Sequence, residues 1–114
     1  MQAQKMLNEE ELRRLYKKLI TEPEQTYNRI IREIFFAIME PGDIGIDVGA
    51  NNGSHTVFMA RRVAPHGKIL AFEPIPENIN LMTRLLEDKD LLTNVRIFDL
   101  ALSNFTGESE FLFF

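Results

Sequence analysis

The feature that most constrains this chain is a change of sequence pattern at Pro41-Gly42. Before these residues, apolar side chains recur at helical spacing, as in Leu12, Leu15 and Leu19. After them, short β-branched segments alternate with segments of helix length. This alternation is typical of βαβ units, in which right-handed helical crossovers join parallel strands. The sequence therefore predicts an α/β chain with two helices followed by a βαβαβ run, which is one half of a doubly wound sheet.

Capping and turn residues place the individual elements. Asn8 is a good N-cap, because the glutamates at 9–11 follow it on the first turn, where the helix dipole favours negative charge. Pro23 and Pro76 fit the first turns of two later helices, and Ser54 can cap a third. The predicted strands are 43–48, 68–72 and 95–98, and residues 107–114 look like the beginning of a further strand.

The length of the chain allows one compact domain. Its 114 residues are 45% apolar, which provides enough material for a core. Residues 1–40 are predicted to form an N-terminal helical segment that packs on the sheet. Residues 41–114 are predicted to form the N-terminal half of a Rossmann-like cofactor-binding domain.

Composition excludes several classes of function. A formal net charge of −4 argues against a non-specific nucleic-acid binder. With no cysteine and no pair of histidines at helical spacing, no metal site is expected. The N-terminal residues are polar and no apolar run reaches the roughly 20 residues of a membrane span. We expect no membrane partner and a cytoplasmic location.

Three unusual features follow the three predicted strands, where ligands of parallel sheets bind. The first is the loop after strand one, in which Gly49 and Gly53 allow a ligand to approach the backbone closely. The second is Glu73, 20 residues beyond Gly53, whose two oxygens can accept hydrogen bonds from two ribose hydroxyls. The third is Asp99, which can accept a hydrogen bond from the exocyclic amine of an adenine. Together they predict a pocket for an adenosine.

The spacing of the loop indicates which adenosine cofactor is favoured. A dinucleotide site is expected to carry G-x-G-x-x-G, whereas this loop has D-x-G-x-x-x-G. Asp47 is poorly suited to a phosphate, but a carboxylate favours the ammonium group and the positive sulfur of S-adenosylmethionine. The loop therefore favours S-adenosylmethionine over NAD.

The same segments resemble the FkbM family of methyltransferases. Three motifs are similar and occur in the same order: GDIGIDVGANNGSHT at 42–56, AFEP with PEN at 71–78, and NV, ALSN and GE within 94–108. The resemblance covers about residues 41–114. It implies a Rossmann-like class I methyltransferase fold, S-adenosylmethionine as methyl donor, and often a hydroxyl oxygen of a small molecule or a glycan as acceptor.

The resemblance also implies roles for individual residues. Glu73 would hold the ribose, and Asp99 would border the adenine. The residues that would line the methionine end are Asp47, Gly49, Ala50, Asn51 and Gly53. In proteins of this kind a fourth strand supplies an acidic motif beside the methyl group. That motif would lie beyond Phe114, so the fold is expected to be incomplete and no catalytic residue is assigned.

Two other functions stay open at this point. The chain can be a non-catalytic, truncated module that binds a nucleoside or a partner chain, or a dinucleotide-binding fragment, against which Asp47 and the loop spacing argue. Without a fourth strand beside it, strand one becomes a sheet edge with unpaired amides. This predicts aggregation, partial unfolding or pairing with another chain, of which a homo-oligomer formed through that edge is one form. Our hypothesis is that the fold and the donor are assigned correctly, and that the 114 residues alone do not turn over.

Overall fold

The computed structural model describes residues 6–110. Its elements are α1 (Glu9–Thr21), α2 (Pro23–Ile38), β1 (Ile44–Val48), α3 (Ser54–Val63), β2 (Lys68–Phe72), α4 (Pro76–Asp88), a 3-10 turn (Leu92–Asn94) and β3 (Val95–Phe98). Two helices followed by βαβαβ is the predicted order of elements, and it is confirmed.

The element boundaries differ from the predicted ones in three places. β1 begins at Ile44, one residue after the predicted start of strand one. Ser54 is the first residue of α3, and its N-cap is Gly53 in a left-handed conformation. The further strand predicted from residue 107 is absent from residues 107–110, which run exposed and unpaired in the described part of the chain. Residues 111–114 of that prediction lie outside the described residues. None of the helices within residues 6–110 is long and apolar enough to cross a membrane.

The three strands form one parallel sheet in the order β1-β2-β3. Val48 is level with Phe72, and Phe72 is level with Phe98. These three residues end their strands, so the strands finish at the same edge of the sheet. The segments that follow them are therefore brought together at that edge, which is where parallel sheets bind ligands.

The core lies between the sheet and helices α3 and α4. Ile69 and Ala71 of β2 are fully buried, as are Val63 of α3 and Met82 and Leu86 of α4. Side chains two residues apart on a strand share a face, so positions 69 and 71 point to the same side. Right-handed crossovers place both helices on that side of the sheet.

The opposite face of the sheet carries exposed apolar side chains. Ile44, Ile46 and Val48 of β1 are between 58% and 72% exposed. Leu70 and Phe72 of β2 lie level with two of them and are half-buried. Among the described strands β1 pairs only with β2, so it forms an edge of this sheet.

The N-terminal helices are attached through α3. Asn8 forms a capping box at the start of α1, which packs on α2 and buries none of its residues. Two cation–π pairs join α2 to α3 in opposite directions: Arg32 lies 3.9 Å from the ring centroid of Phe58, and Arg62 lies 4.1 Å from that of Phe36. Such pairs contribute about 0.5–1 kcal/mol each at exposed sites. The division between residues 40 and 41 stays a prediction.

We expect Leu86→Ala to lower the free energy of unfolding by about 2–5 kcal/mol, because it removes a fully buried side chain and leaves a cavity. The matched control is Leu81→Ala on the same helix, because Leu81 is 53% exposed. It should change stability by less than about 1 kcal/mol. Urea unfolding followed by circular dichroism measures both, and equal losses would contradict this description of the core.

Candidate cofactor site at the carboxyl edge of the sheet

Backbone hydrogen bonds join each strand end to the segment beside it. The N–H groups of Gly49 and Ala50 both donate to the carbonyl oxygen of Phe72, over 2.9 and 3.0 Å. The N–H of Glu73 donates to the carbonyl oxygen of Phe98, over 3.0 Å. The loop after β1 is therefore held against the end of β2, and the residue after β2 is held against the end of β3.

Every second residue of the loop after β1, from Gly49 to Gly53, has a left-handed backbone conformation. Gly49, Asn51 and Gly53 have φ values of 72°, 55° and 86°. Glycine adopts this conformation freely, and asparagine tolerates it better than most residues. A Cβ at Gly53 would lie 2.6 Å from Cγ of Met82, so this glycine is also required by the packing of the loop on α4. A Cβ at Gly49 would meet no atom within 4 Å, so the backbone there is open to a ligand.

Glu73 is a buried carboxylate with three donors. Only 4% of the residue is exposed. Its Oε1 accepts the N–H of Asn51 over 2.9 Å, and its Oε2 accepts the N–H of Ile75 over 2.9 Å and the side-chain amide of Asn78 over 3.4 Å. A buried carboxylate is destabilising unless it is hydrogen-bonded, so these contacts are needed where Glu73 lies. They link the loop at residues 49–53, called the glycine loop below, to the start of α4. The sequence indicated a ribose contact for Glu73 and did not indicate this link.

Asp47 lies near the end of β1 and points towards α3. Its Oδ2 accepts a hydrogen bond of 2.6 Å from Oγ1 of Thr56, the third residue of α3. Thr56 is fully buried. The first motif, at residues 42–56, ends at Thr56, but the sequence analysis assigned this residue no role. The available signal was a hydroxyl residue on the first turn of the helix that follows the loop, nine residues after Asp47.

Asp99 directly follows β3, so the register of the sheet places it at the same edge. It is exposed, in contrast to Glu73. The edge therefore collects all the residues that the sequence singled out: Asp47, Gly49, Ala50, Asn51, Gly53, Glu73 and Asp99. Hydrogen bonds link Asn51 directly to Glu73. The roles of these residues towards a ligand stay predictions.

A contact from α2 reaches the first turn of α3. A ring nitrogen of His55 lies 3.4 Å from Oδ1 of Asn28, and the ring packs edge-on against Phe35 with the centroids 5.9 Å apart. His55 is thereby tied to an N-terminal helix, a contact that local sequence pattern did not indicate. Within residues 6–110 no group of three or more His, Cys, Asp or Glu side chains is placed to hold a metal ion.

The architecture is the Rossmann-like fold that is also found in S-adenosylmethionine-dependent methyltransferases. An O-methyltransferase of this kind from Thermotoga maritima superposes with a TM-score of 0.58 at 24% identity, over 75% of this chain and 34% of that one. A SAM-dependent methyltransferase from Aquifex aeolicus superposes with a TM-score of 0.54 at 20% sequence identity, over 64% of this chain and 37% of that one. A Streptococcus mutans protein assigned as a methyltransferase was solved with SAH. It superposes with a TM-score of 0.57 at 20% sequence identity, over 64% of this chain and 39% of that one. The predicted fold class is confirmed.

The family follows from the sequence match. The model of the Methyltransferase FkbM domain matches residues 47–113, more than half of the chain. The chain belongs to the FkbM methyltransferase family, as the motifs indicated. Methyltransferase sdnD of Sordaria araneosa is 36% identical over 69 residues, which are 60% of this chain and 26% of that protein. The chain thus spans about a quarter of the length of this curated relative.

We expect Glu73→Gln to destabilise the protein by about 1–3 kcal/mol, because an amide NH₂ replaces one acceptor and leaves a backbone N–H of Asn51 or Ile75 unsatisfied. Glu77→Gln is the matched control, since Glu77 is exposed on the first turn of α4. It should cost less than about 1 kcal/mol. Urea unfolding compares the two, and a loss for Glu73→Gln no larger than the control would refute the link.

The two glycines of the loop should respond differently to alanine. Gly49→Ala should cost about 1–2 kcal/mol from its left-handed backbone alone. Gly53→Ala should cost about 1–3 kcal/mol more, because the new methyl group also overlaps Met82. Thermal unfolding of both variants checks the order, and a lower midpoint for Gly49→Ala would contradict the packing described for Gly53.

Proposed function

We propose that this protein is an S-adenosylmethionine-dependent methyltransferase that acts on a hydroxyl oxygen of a small molecule or a glycan. The chain supplies the donor-binding part of the site. The observation that carries the proposal is the 2.9 Å hydrogen bond from the Asn51 N–H to Glu73, which joins the glycine loop to the carboxylate at the strand edge. Membership of the FkbM family supports the reaction class. The acceptor rests on the motif resemblance, and the Thermotoga O-methyltransferase of like fold is in keeping with it.

The residues at this edge fit the chemical groups of S-adenosylmethionine. The open space over Gly49 lets a ligand approach the backbone. Asp47 and Glu73 are carboxylates, which favour an ammonium group and a sulfonium and accept hydrogen bonds from ribose hydroxyls. The same charges oppose a pyrophosphate. This supports an adenosyl sulfonium ligand over a dinucleotide.

Each residue has a part in holding the donor. The methionine end is assigned to Asp47, Gly49, Ala50, Asn51 and Gly53, the ribose to Glu73, and the adenine to Asp99. When bound, S-adenosylmethionine supplies a methyl group that its positive sulfur makes electrophilic. The chain's own residues bind and orient the donor.

Glu73 must exchange a partner to accept hydrogen bonds from both hydroxyls of a ribose. A carboxylate offers about four acceptor positions, and three donors already point at Glu73. Of these, the Asn78 amide makes the longest bond, at 3.4 Å, and it comes from a half-buried side chain that can turn away. We infer that this contact is the one a ribose hydroxyl replaces.

The non-catalytic alternative predicts donor binding without transfer. Our hypothesis remains that these 114 residues alone do not turn over. Methyl transfer by the purified chain, lost in Glu73→Ala, would contradict that part of the proposal. Pairing of β1 edges between two copies and a cytoplasmic location stay predictions of the sequence.

Calorimetric titration tests the cofactor assignment. We expect saturable binding of S-adenosylmethionine and S-adenosylhomocysteine and no binding of NAD. Asp47→Asn keeps the shape of the side chain and removes its charge, so it should weaken binding of the donor by about tenfold, or about 1.4 kcal/mol. Asp88→Asn, at the exposed end of α4, is the matched control and should bind like the unchanged chain.

Either of two results would overturn the assignment. One is saturable binding of NAD in place of the adenosyl ligands, which would establish a dinucleotide site. The other is a folded chain that binds none of the three ligands. Folding is checked on the same samples by circular dichroism, so that a loss of binding is not confused with a loss of structure.

A further inference from the structure

Thr56 uses its hydroxyl differently from other helical threonines of this chain. Thr21 and Thr83 donate to carbonyl oxygens four residues earlier in their own helices, over 3.1 and 2.7 Å. Bonds of this local kind are common for threonine in helices. The Thr56 hydroxyl instead leaves its helix and donates to Oδ2 of Asp47 on β1, over 2.6 Å. That distance is typical of a charge-assisted hydrogen bond between a hydroxyl and a carboxylate.

This bond connects the two ends of the glycine loop. Asp47 precedes the loop on β1, and Thr56 follows it on the first turn of α3. Thr56 is fully buried, so water cannot take over as donor without rearrangement. The bond holds one oxygen of the Asp47 carboxylate and leaves the other, Oδ1, as an acceptor for a ligand. It therefore restricts the rotation of a side chain that would otherwise have several rotamers.

We propose that Thr56 is a positioning residue, whose hydroxyl holds Asp47 in the orientation that receives the charged methionine end of the donor. The proposal rests on the proposed function, because it concerns the same site. Preorganisation of this kind raises affinity, since the carboxylate loses no rotamer freedom when the ligand binds. Its effect is confined to the end of the ligand that Asp47 contacts.

The experiment compares Thr56→Val, which keeps the shape and removes the hydroxyl, with Thr56→Ser, which keeps the hydroxyl. Each purified chain is titrated with S-adenosylhomocysteine and with 5′-methylthioadenosine, which lacks the amino-acid end. We expect Thr56→Val to weaken S-adenosylhomocysteine by about tenfold, the effect of losing a hydrogen bond to a charged group. Binding of 5′-methylthioadenosine should be unchanged, and Thr56→Ser should restore the affinity for S-adenosylhomocysteine.

Thr83→Val is the control, because it removes a half-buried hydrogen bond within α4 that does not involve Asp47. It should leave the affinity for both ligands unchanged. Should Thr56→Val fail to fold, Thr56→Cys gives the same comparison, since a thiol has the right size and is only a weak donor. We expect Thr56→Cys to bind S-adenosylhomocysteine more weakly than Thr56→Ser.

The outcomes separate this proposal from the proposed function. An unchanged chain that binds no adenosyl ligand contradicts the proposed function, and this inference falls with it. An unchanged chain that binds S-adenosylhomocysteine, with Thr56→Val binding it equally well, overturns the role of Thr56 alone. Equal weakening of both ligands by Thr56→Val also overturns it, because the hydroxyl would then support the whole loop and not the orientation of Asp47.

Discussion

The buried carboxylate of Glu73 is the interaction on which the ligand edge of this protein depends. A carboxylate taken out of water is strongly destabilising unless donors replace the water. Here the donors are backbone N–H groups of Asn51 and Ile75, which belong to the glycine loop and to the segment before α4. The hydrogen bond from the Asn51 N–H to the buried carboxylate therefore stabilises the left-handed conformation of the loop.

A second carboxylate makes the corresponding link on the other side of the loop. Asp47 receives the hydroxyl of Thr56, so the end of β1 is joined to the first turn of α3. Both acidic side chains of the loop region thus have a structural contact as well as a role proposed towards the donor. This dual use has a physical reason. A carboxylate has about four acceptor positions, and the donors that hold it occupy only some of them. The remaining positions are then fixed in direction.

Helices cover the two faces of the sheet unequally. Helices α3 and α4 bury one face of the sheet around Ile69 and Ala71, whereas Ile44 and Ile46 remain exposed on the other. Of the two N-terminal helices, α2 contacts α3, and its contact with His55 lies two residues from Gly53 of the glycine loop.

Local sequence by itself determined the order of elements, the positions of the three strands and the edge at which Gly49, Glu73 and Asp99 collect. These follow from periodicity, turn residues and the parallel direction that βαβ units impose. The motifs also indicated the family. Only the tertiary structure decided which donors meet Glu73 and Asp47, that Gly53 packs on α4, and that the hydroxyl of Thr56 reaches Asp47 on β1. Those contacts join residues from different elements, and their partners depend on how the helices lie on the sheet, which no local pattern records.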